Sequence, residues 1–321
     1  MDNTTLIYDN TTNKETNESK ESNIHNIVIS GGGVDILSFY GALRESNKRG
    51  LWDISNIKSI YGTSAGSMLG VMLLLKYDWD TLDNYIINRP WQNVFKFNMY
   101  SIIHSFQERG VFDIKIVEEM FLPIFKGKDI SINITMQELF ELTAIDLHIY
   151  TVDINLFEIV DISHKTHPKW RVIDAIYVSS SLPFIFKPLI KDCICYTDGG
   201  VLLNYPLSKC IEDGGLPNET LGISKETTNC DTDTITDESN IFDYLLFILS
   251  KMLKKARLNN VKNNNDNILI KYNIVIQSKL STLPDIINAA SSIEDRIAFI
   301  KKGVESVETL ELMKNNENTL D

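Results

Sequence analysis

The sequence predicts a three-layer α/β/α sandwich around a mainly parallel sheet, on three observations. Strand-like runs rich in β-branched residues alternate with segments of helical spacing. The runs at 26–30 and 57–62 each end in a glycine-rich turn that passes into a helical segment, and a short strand-like run far downstream ends in Asp198-Gly199-Gly200. Such alternation marks βαβ units whose sheet is covered on both faces.

Residues 1–24 are polar, rich in Asn, Thr and Glu, and nearly free of apolar side chains. They cannot offset their ordering entropy by burial, which predicts a disordered tail. "NIVIS" (26–30) reads as a strand and "LSFYGALRESNKRG" after it as a helix; "IKSIYG" (57–62) is a second strand, followed by the apolar helix "AGSMLGVMLLLKY". "LHIYTVDI" (147–154) and "LFEIVDI" (156–162) are further strands, "KWRVIDAIYVSSS" a helix, "ILIKYNIVI" (268–276) a late strand, and 292–314 a helix. The polar stretches 223–240 and 258–267 read as loops. The expected organisation is one domain over 25–315, with its motifs within 26–210 and a frayed end at 316–321.

The formal charge of −12 argues against nucleic acid as a partner, since phosphate binding needs a cationic surface. Cys193, Cys195, Cys210 and Cys230 form no C-x-x-C pair and read as reduced thiols, and no His or carboxylate spacing suggests a metal site. No basic segment precedes an apolar run, and the longest apolar runs fall short of the roughly 20 residues that span a bilayer. A soluble, cytoplasmic protein is expected.

Three motifs carry chemistry. In "SGGGVDILSFYGAL" (30–43) the glycines leave backbone N–H groups unshielded near a helix start, a good setting for an anion. A dinucleotide fingerprint fails because Ile36 stands where the third glycine belongs, and no Gly-Lys-Ser/Thr completes a phosphate loop. An oxyanion hole at Gly31, Gly32 and Gly33, or a plain strand-to-helix turn, remains. Gly62-Thr63-Ser64-Ala65-Gly66 matches G-x-S-x-G, where small flanking residues let a strained turn expose the serine oxygen. The serine needs a base. All five histidines lie at or before residue 167, so the usual order of Ser, acid, then His could be met only by Asp161 with His164 or His167. Asp198, ahead of two glycines, offers the other solution, because a desolvated carboxylate gains basicity. Its plain alternative is an Asp-Gly turn.

In order, Gly31-Gly32-Gly33, Gly62-Thr63-Ser64-Ala65-Gly66 and Asp198-Gly199-Gly200 resemble the patatin-like phospholipase family, and "SSSLPFIFKPL" (179–189) and "YPL" (205–207) agree with it. The resemblance covers about 26–210 and implies a patatin-like fold and a Ser/Asp dyad that hydrolyses lipid esters without a metal or cofactor. Ser64 would be the nucleophile and Asp198 its base, with backbone N–H groups of the glycine loop, Val34 included, as oxyanion donors. The family usually writes Gly-Gly-Gly-x-Arg/Lys-Gly, whereas this chain has Asp35 and Ile36 at the last two positions. A carboxylate there is expected to loosen the loop and repel anionic substrates. The helical stretch 241–258, apolar first and then carrying Lys251, Lys254, Lys255 and Arg257, reads either as a membrane-surface helix or as a buried helix with a basic end. A soluble esterase with a Ser-Asp-His triad and a lipid-binding scaffold without turnover are the remaining alternatives.

Overall fold

The computed structural model describes residues 23–96, 107–227, 268–278 and 283–317, with scattered residues between 235 and 255. Most of the expected tail lies outside the described residues, but Ile24 is buried in the core. His104 and Cys230 also lie outside them.

The chain opens with β1 (Asn26–Ile29), all four residues buried, and α1 (Ile36–Lys48), joined by the glycine loop. β2 (Ser59–Thr63) and α2 (Ala65–Leu74) repeat the unit, and every residue of α2 is buried, consistent with a sequence that is apolar apart from Ser67. α3 (Trp79–Asn88), β3 (Gly110–Phe112), α4 (Lys115–Lys126) and α5 (Met136–Thr143) follow. Next come β4 (Asp146–Asp153), β5 (Glu158–Ile162), α6 (Val172–Ser179), β6 (Phe184–Phe186), β7 (Leu189–Lys191), β8 (Ile194–Asp198) and α7 (Leu207–Glu212). β9 (Thr220–Thr227), β10 (Tyr272–Ser278), α8 (Leu283–Ser291) and α9 (Ile293–Glu317) complete the described elements.

The main sheet runs β10-β9-β1-β2-β4-β8-β7, with β5 also on β4. β10, β9, β1, β2 and β4 are parallel, while β5, β8 and β7 are antiparallel to their neighbours. Helices flank the sheet, as the three-layer α/β/α prediction expects, and β3 pairs β6 in a small sheet of its own.

β4 positions the site. β5 occupies one edge from Ile149 to Asp153, so β2 and β8 must share the other edge end to end. β2 covers it up to Tyr150, opposite Thr63, and β8, arriving from the other direction, ends with Asp198 opposite Thr151. The C-terminal ends of these two strands therefore meet at adjacent register positions.

One loop expectation is corrected. Residues 223–227, read as the start of a polar loop, are the end of β9: Ile223 lies between β1 and β10, and 224–227 continue along β10 alone. Their polarity reflects what the end of the strand touches: Ser224 reaches Asn273 and Lys225 reaches Asp35. α9 returns across the molecule to pack on α1. A Cβ on Gly41 would lie 2.1 Å from the Ile300 carbonyl oxygen, and one on Gly303 would lie 1.9 Å from that of Ser38, so the two backbones touch.

Candidate active site

Ser64 stands at the junction of β2 and α2 with φ 53° and ψ −119°, a conformation that costs a non-glycine residue about 1–3 kcal/mol. The flanking glycines make the turn possible. A Cβ at Gly62 would come within 2.7 Å of the Gly66 backbone, and one at Gly66 within 2.2 Å of the Ile29 carbonyl oxygen. The turn is thus pressed against β1 and against itself, and the serine side chain is carried out at the end of the sheet.

The Ser64 hydroxyl donates to Asp198 Oδ2 at 2.7 Å. Asp198 is 6% exposed, and its other oxygen accepts the Gly200 N–H at 2.7 Å, which fixes the carboxylate plane. The Asp198 N–H donates to the Ser181 carbonyl. Two residues earlier, the Ser179 hydroxyl accepts the Ser64 N–H at 2.8 Å and donates to the Tyr150 carbonyl at 2.6 Å. The serine run that closes α6 therefore braces both members of the pair.

The glycine loop lies beside them. A Cβ on Gly31 would be 3.3 Å from the Ser64 Cβ. The Gly31 N–H donates to the Asn204 carbonyl at 2.8 Å, and the Asn204 side-chain amide donates to the Gly31 carbonyl at 3.1 Å. Gly31 is thus clamped by both of its polar groups. Gly33, at φ 58°, opens the turn into α1.

Asp35 is not a surface carboxylate. Its side chain is 1% exposed and points into the protein, where Oδ2 accepts from Lys225 Nζ and from the Ser278 hydroxyl, each at 2.6 Å. Lys302 Nζ lies 3.7 Å from the other oxygen. The expectation that a carboxylate here loosens the loop is overturned: paired with cations from β9 and α9, it ties the loop down.

The histidines have other partners. His148 Nδ1 pairs with Asp161 Oδ2 at 2.8 Å, His164 Nδ1 with Asp146 Oδ1 at 2.9 Å, and His167 Nδ1 with the Thr166 hydroxyl. Asp161, the acid of the triad alternative, is therefore engaged by a histidine of β4. Cys193, Cys195 and Cys210 are free thiols, and burial pushes Cys210 up to about 11. Among the described residues, no group of three or more His, Cys, Asp or Glu is arranged to hold a metal ion, and no helix is long and apolar enough to cross a membrane.

Asn204 and Ser179 escaped notice as site residues, although both lie inside or between segments singled out in the sequence. The signal for Ser179 was the run of three serines closing a buried helix. Asn204 stands just ahead of the Tyr205-Pro206-Leu207 run.

A strained serine between a parallel strand and a helix, bonded to a buried aspartate beside a glycine loop, defines an α/β protein of the nucleophile-elbow class. The model of the patatin-like phospholipase family matches residues 27–211, more than half of the chain, and the chain belongs to that family. It is 27% identical over 264 residues to uncharacterized protein R571 of Acanthamoeba polyphaga mimivirus, covering 80% of this chain and 86% of that one. It is 25% identical over 188 residues to probable lipid hydrolase 463L of Invertebrate iridescent virus 6, covering 58% and 63%. Among solved structures, VipD from Legionella pneumophila aligns with a TM-score of 0.49 at 15% identity, over 90% of this chain and 66% of that one.

Proposed function

We propose that the protein is a lipid acyl hydrolase of the phospholipase A type that cleaves carboxylic esters through Ser64 and Asp198. The observation that carries this reading is the 2.7 Å hydrogen bond from the Ser64 hydroxyl to the buried Asp198 carboxylate. Family membership and the lipid-hydrolase description of the iridescent virus relative support the lipid substrate.

In the proposed reaction Ser64 Oγ attacks the ester carbonyl as its proton passes to Asp198 Oδ2. The oxyanion accepts from the N–H groups of Gly32 and Gly33, with Val34 next in line. Gly31, expected from sequence to donate as well, serves as the loop's clamp to Asn204, because its N–H is already engaged there. Collapse of the tetrahedral intermediate breaks the ester C–O bond, and Asp198 returns the proton to the leaving alkoxide. Water, deprotonated by the same carboxylate, then frees the acyl group and restores Ser64.

Contact with a lipid surface is part of this reading. The described residues of 241–255 are helical, and Ile241, Tyr244, Ile248 and Met252, at helical spacing, are exposed. Lys251 and Lys255 are exposed with them, whereas Lys254 and Arg257 lie outside the described residues. An apolar row flanked by ammonium groups suits the boundary of an anionic bilayer.

Intact-mass analysis after exposure to a fluorophosphonate tests the chemistry. One adduct on the wild type, absent from Ser64→Ala and formed at least about a hundredfold more slowly by Asp198→Asn, is expected. No adduct on folded wild-type protein, or an adduct retained by Ser64→Ala, would overturn it.

A further inference from the structure

We propose that Lys225 is a positioning residue for acyl transfer at Ser64, acting through the peptide that joins Gly32 to Gly33. The inference rests on the hydrolase reading above.

Lys225 reaches the loop from outside the segment matched by the family model, which ends at residue 211. β9 lies beside β1, with Ile223 opposite Ile29, and the Ile223 carbonyl accepts the Ser30 N–H at 2.9 Å. Two residues further on, Lys225 stands abreast of the glycine loop. Its ammonium donates to Asp35 Oδ2 at 2.6 Å and to the Gly32 carbonyl at 3.5 Å.

The Gly32 carbonyl and the Gly33 N–H belong to one peptide plane. The bond is trans, so the two groups point in opposite directions. A cation on the carbonyl side therefore fixes the aim of the Gly33 N–H and polarises it toward an acceptor on the far side. The Asp35 N–H contributes to the same carbonyl at 3.2 Å, so the plane is held at its back by two donors.

Charge works in the same direction. Around the 1% exposed Asp35 carboxylate lie Lys225, only 11% exposed, and Lys302 of α9. One carboxylate against two ammonium groups leaves a formal surplus of one positive charge behind the loop. Lys225 is largely buried and its charge poorly screened, so, with the 35% exposed Lys302 adding less, it favours a negative charge forming on the other side. Asp35 holds Lys225 in place, and Ser278 of β10 completes the anchor through its hydrogen bond to the same carboxylate oxygen. The last strands and the last helix thus reach into the chemistry of a site whose sequence motifs all lie before residue 211.

The test compares wild type, Lys225→Arg and the double variant Asp35→Asn with Lys225→Met. The double variant removes both buried charges at nearly constant shape, which preserves folding where a single change would strand an unpaired ion. Folding is checked by near-UV circular dichroism and melting temperature, and fluorophosphonate labelling is resolved into its maximal rate and its half-saturating concentration. The expected result is a folded double variant whose maximal rate falls by about ten- to a hundredfold while half-saturation changes less than about twofold. Lys225→Arg, which keeps the donor and the charge, should stay within about threefold of wild type. A folded double variant that reacts at the wild-type rate would overturn the proposal and leave the hydrolase reading intact. So would a loss confined to half-saturation, which would make Lys225 a substrate-binding group. No adduct on folded wild type would remove both readings.

Discussion

The backbone N–H of Ser64 donates to the side chain of Ser179, 115 positions away, at 2.8 Å. The same hydroxyl donates to the Tyr150 carbonyl in β4, so a strained turn, a helix end and a central strand are joined through one oxygen. A Ser64 φ of 53° persists only where surrounding contacts over-determine it, and this bond is one of them.

Replacing Ser179 by alanine should therefore leave the fold intact but relax the turn. Stability is expected to drop by about 1–2 kcal/mol, the usual cost of leaving buried partners unmatched, and fluorophosphonate labelling to slow by about tenfold or more. Denaturant unfolding read beside labelling rates checks both. Unchanged labelling with lowered stability would mean that the brace does not act on the reactivity of Ser64.

Gly66→Ala should be more damaging. The new methyl would sit 2.2 Å from the Ile29 carbonyl oxygen and 2.9 Å from that of Ser30, backbone atoms that cannot rotate away. Helix α2 has to shift from β1, at a cost of about 1–3 kcal/mol, and Ser64 moves with it. Thermal unfolding should show the lower stability, and labelling should fall by about a hundredfold.

Asn204 offers a graded test of the glycine loop. Its amide donates to the Gly31 carbonyl at 3.1 Å, so alanine removes one hydrogen bond and aspartate sets an acceptor against an acceptor. The expected order of labelling rates is wild type, then Asn204→Ala, then Asn204→Asp. Equal rates in all three would detach Asn204 from the site.

His167 gives a pH-dependent prediction that bears on stability alone. Burial holds its imidazole below the ordinary value of 6.5. As the pH falls through that value the unfolded chain takes up the proton before the folded one, so stability declines, and the decline ends below the lowered folded value. His167→Gln should flatten this acid slope between about pH 7 and the lowered value while leaving fluorophosphonate labelling unchanged. A large loss of labelling would instead revive a triad through this histidine.

Much of the architecture was legible because local rules decide it. Buried parallel strands need unbroken β-branched runs, and a turn pressed against a neighbouring strand needs glycine on both sides of Ser64. That is why β1, β2, α1 and α2 stood out together with the two motifs they carry. β9 was missed as a strand, because Ser224, Lys225 and Thr227 carry no apolar alternation: that end of it serves polar partners rather than the core. The meaning of Asp35 was misread for a related reason, since its partners lie 190 and 243 positions away at Lys225 and Ser278.

By itself the sequence determined the chemistry available: a serine in a tight turn, a carboxylate before two glycines, and a loop of bare amides. Only the tertiary structure decided which groups meet. β2 and β8 share one edge of β4 and bring Ser64 to Asp198, β9 turns a carboxylate that looked like a defect into an anchor, and Asn204 takes up the polar groups of Gly31. Residue type and local spacing are carried along the chain. The sign and distance of a charge at a loop depend on strand order, and strand order is settled only when the whole core packs.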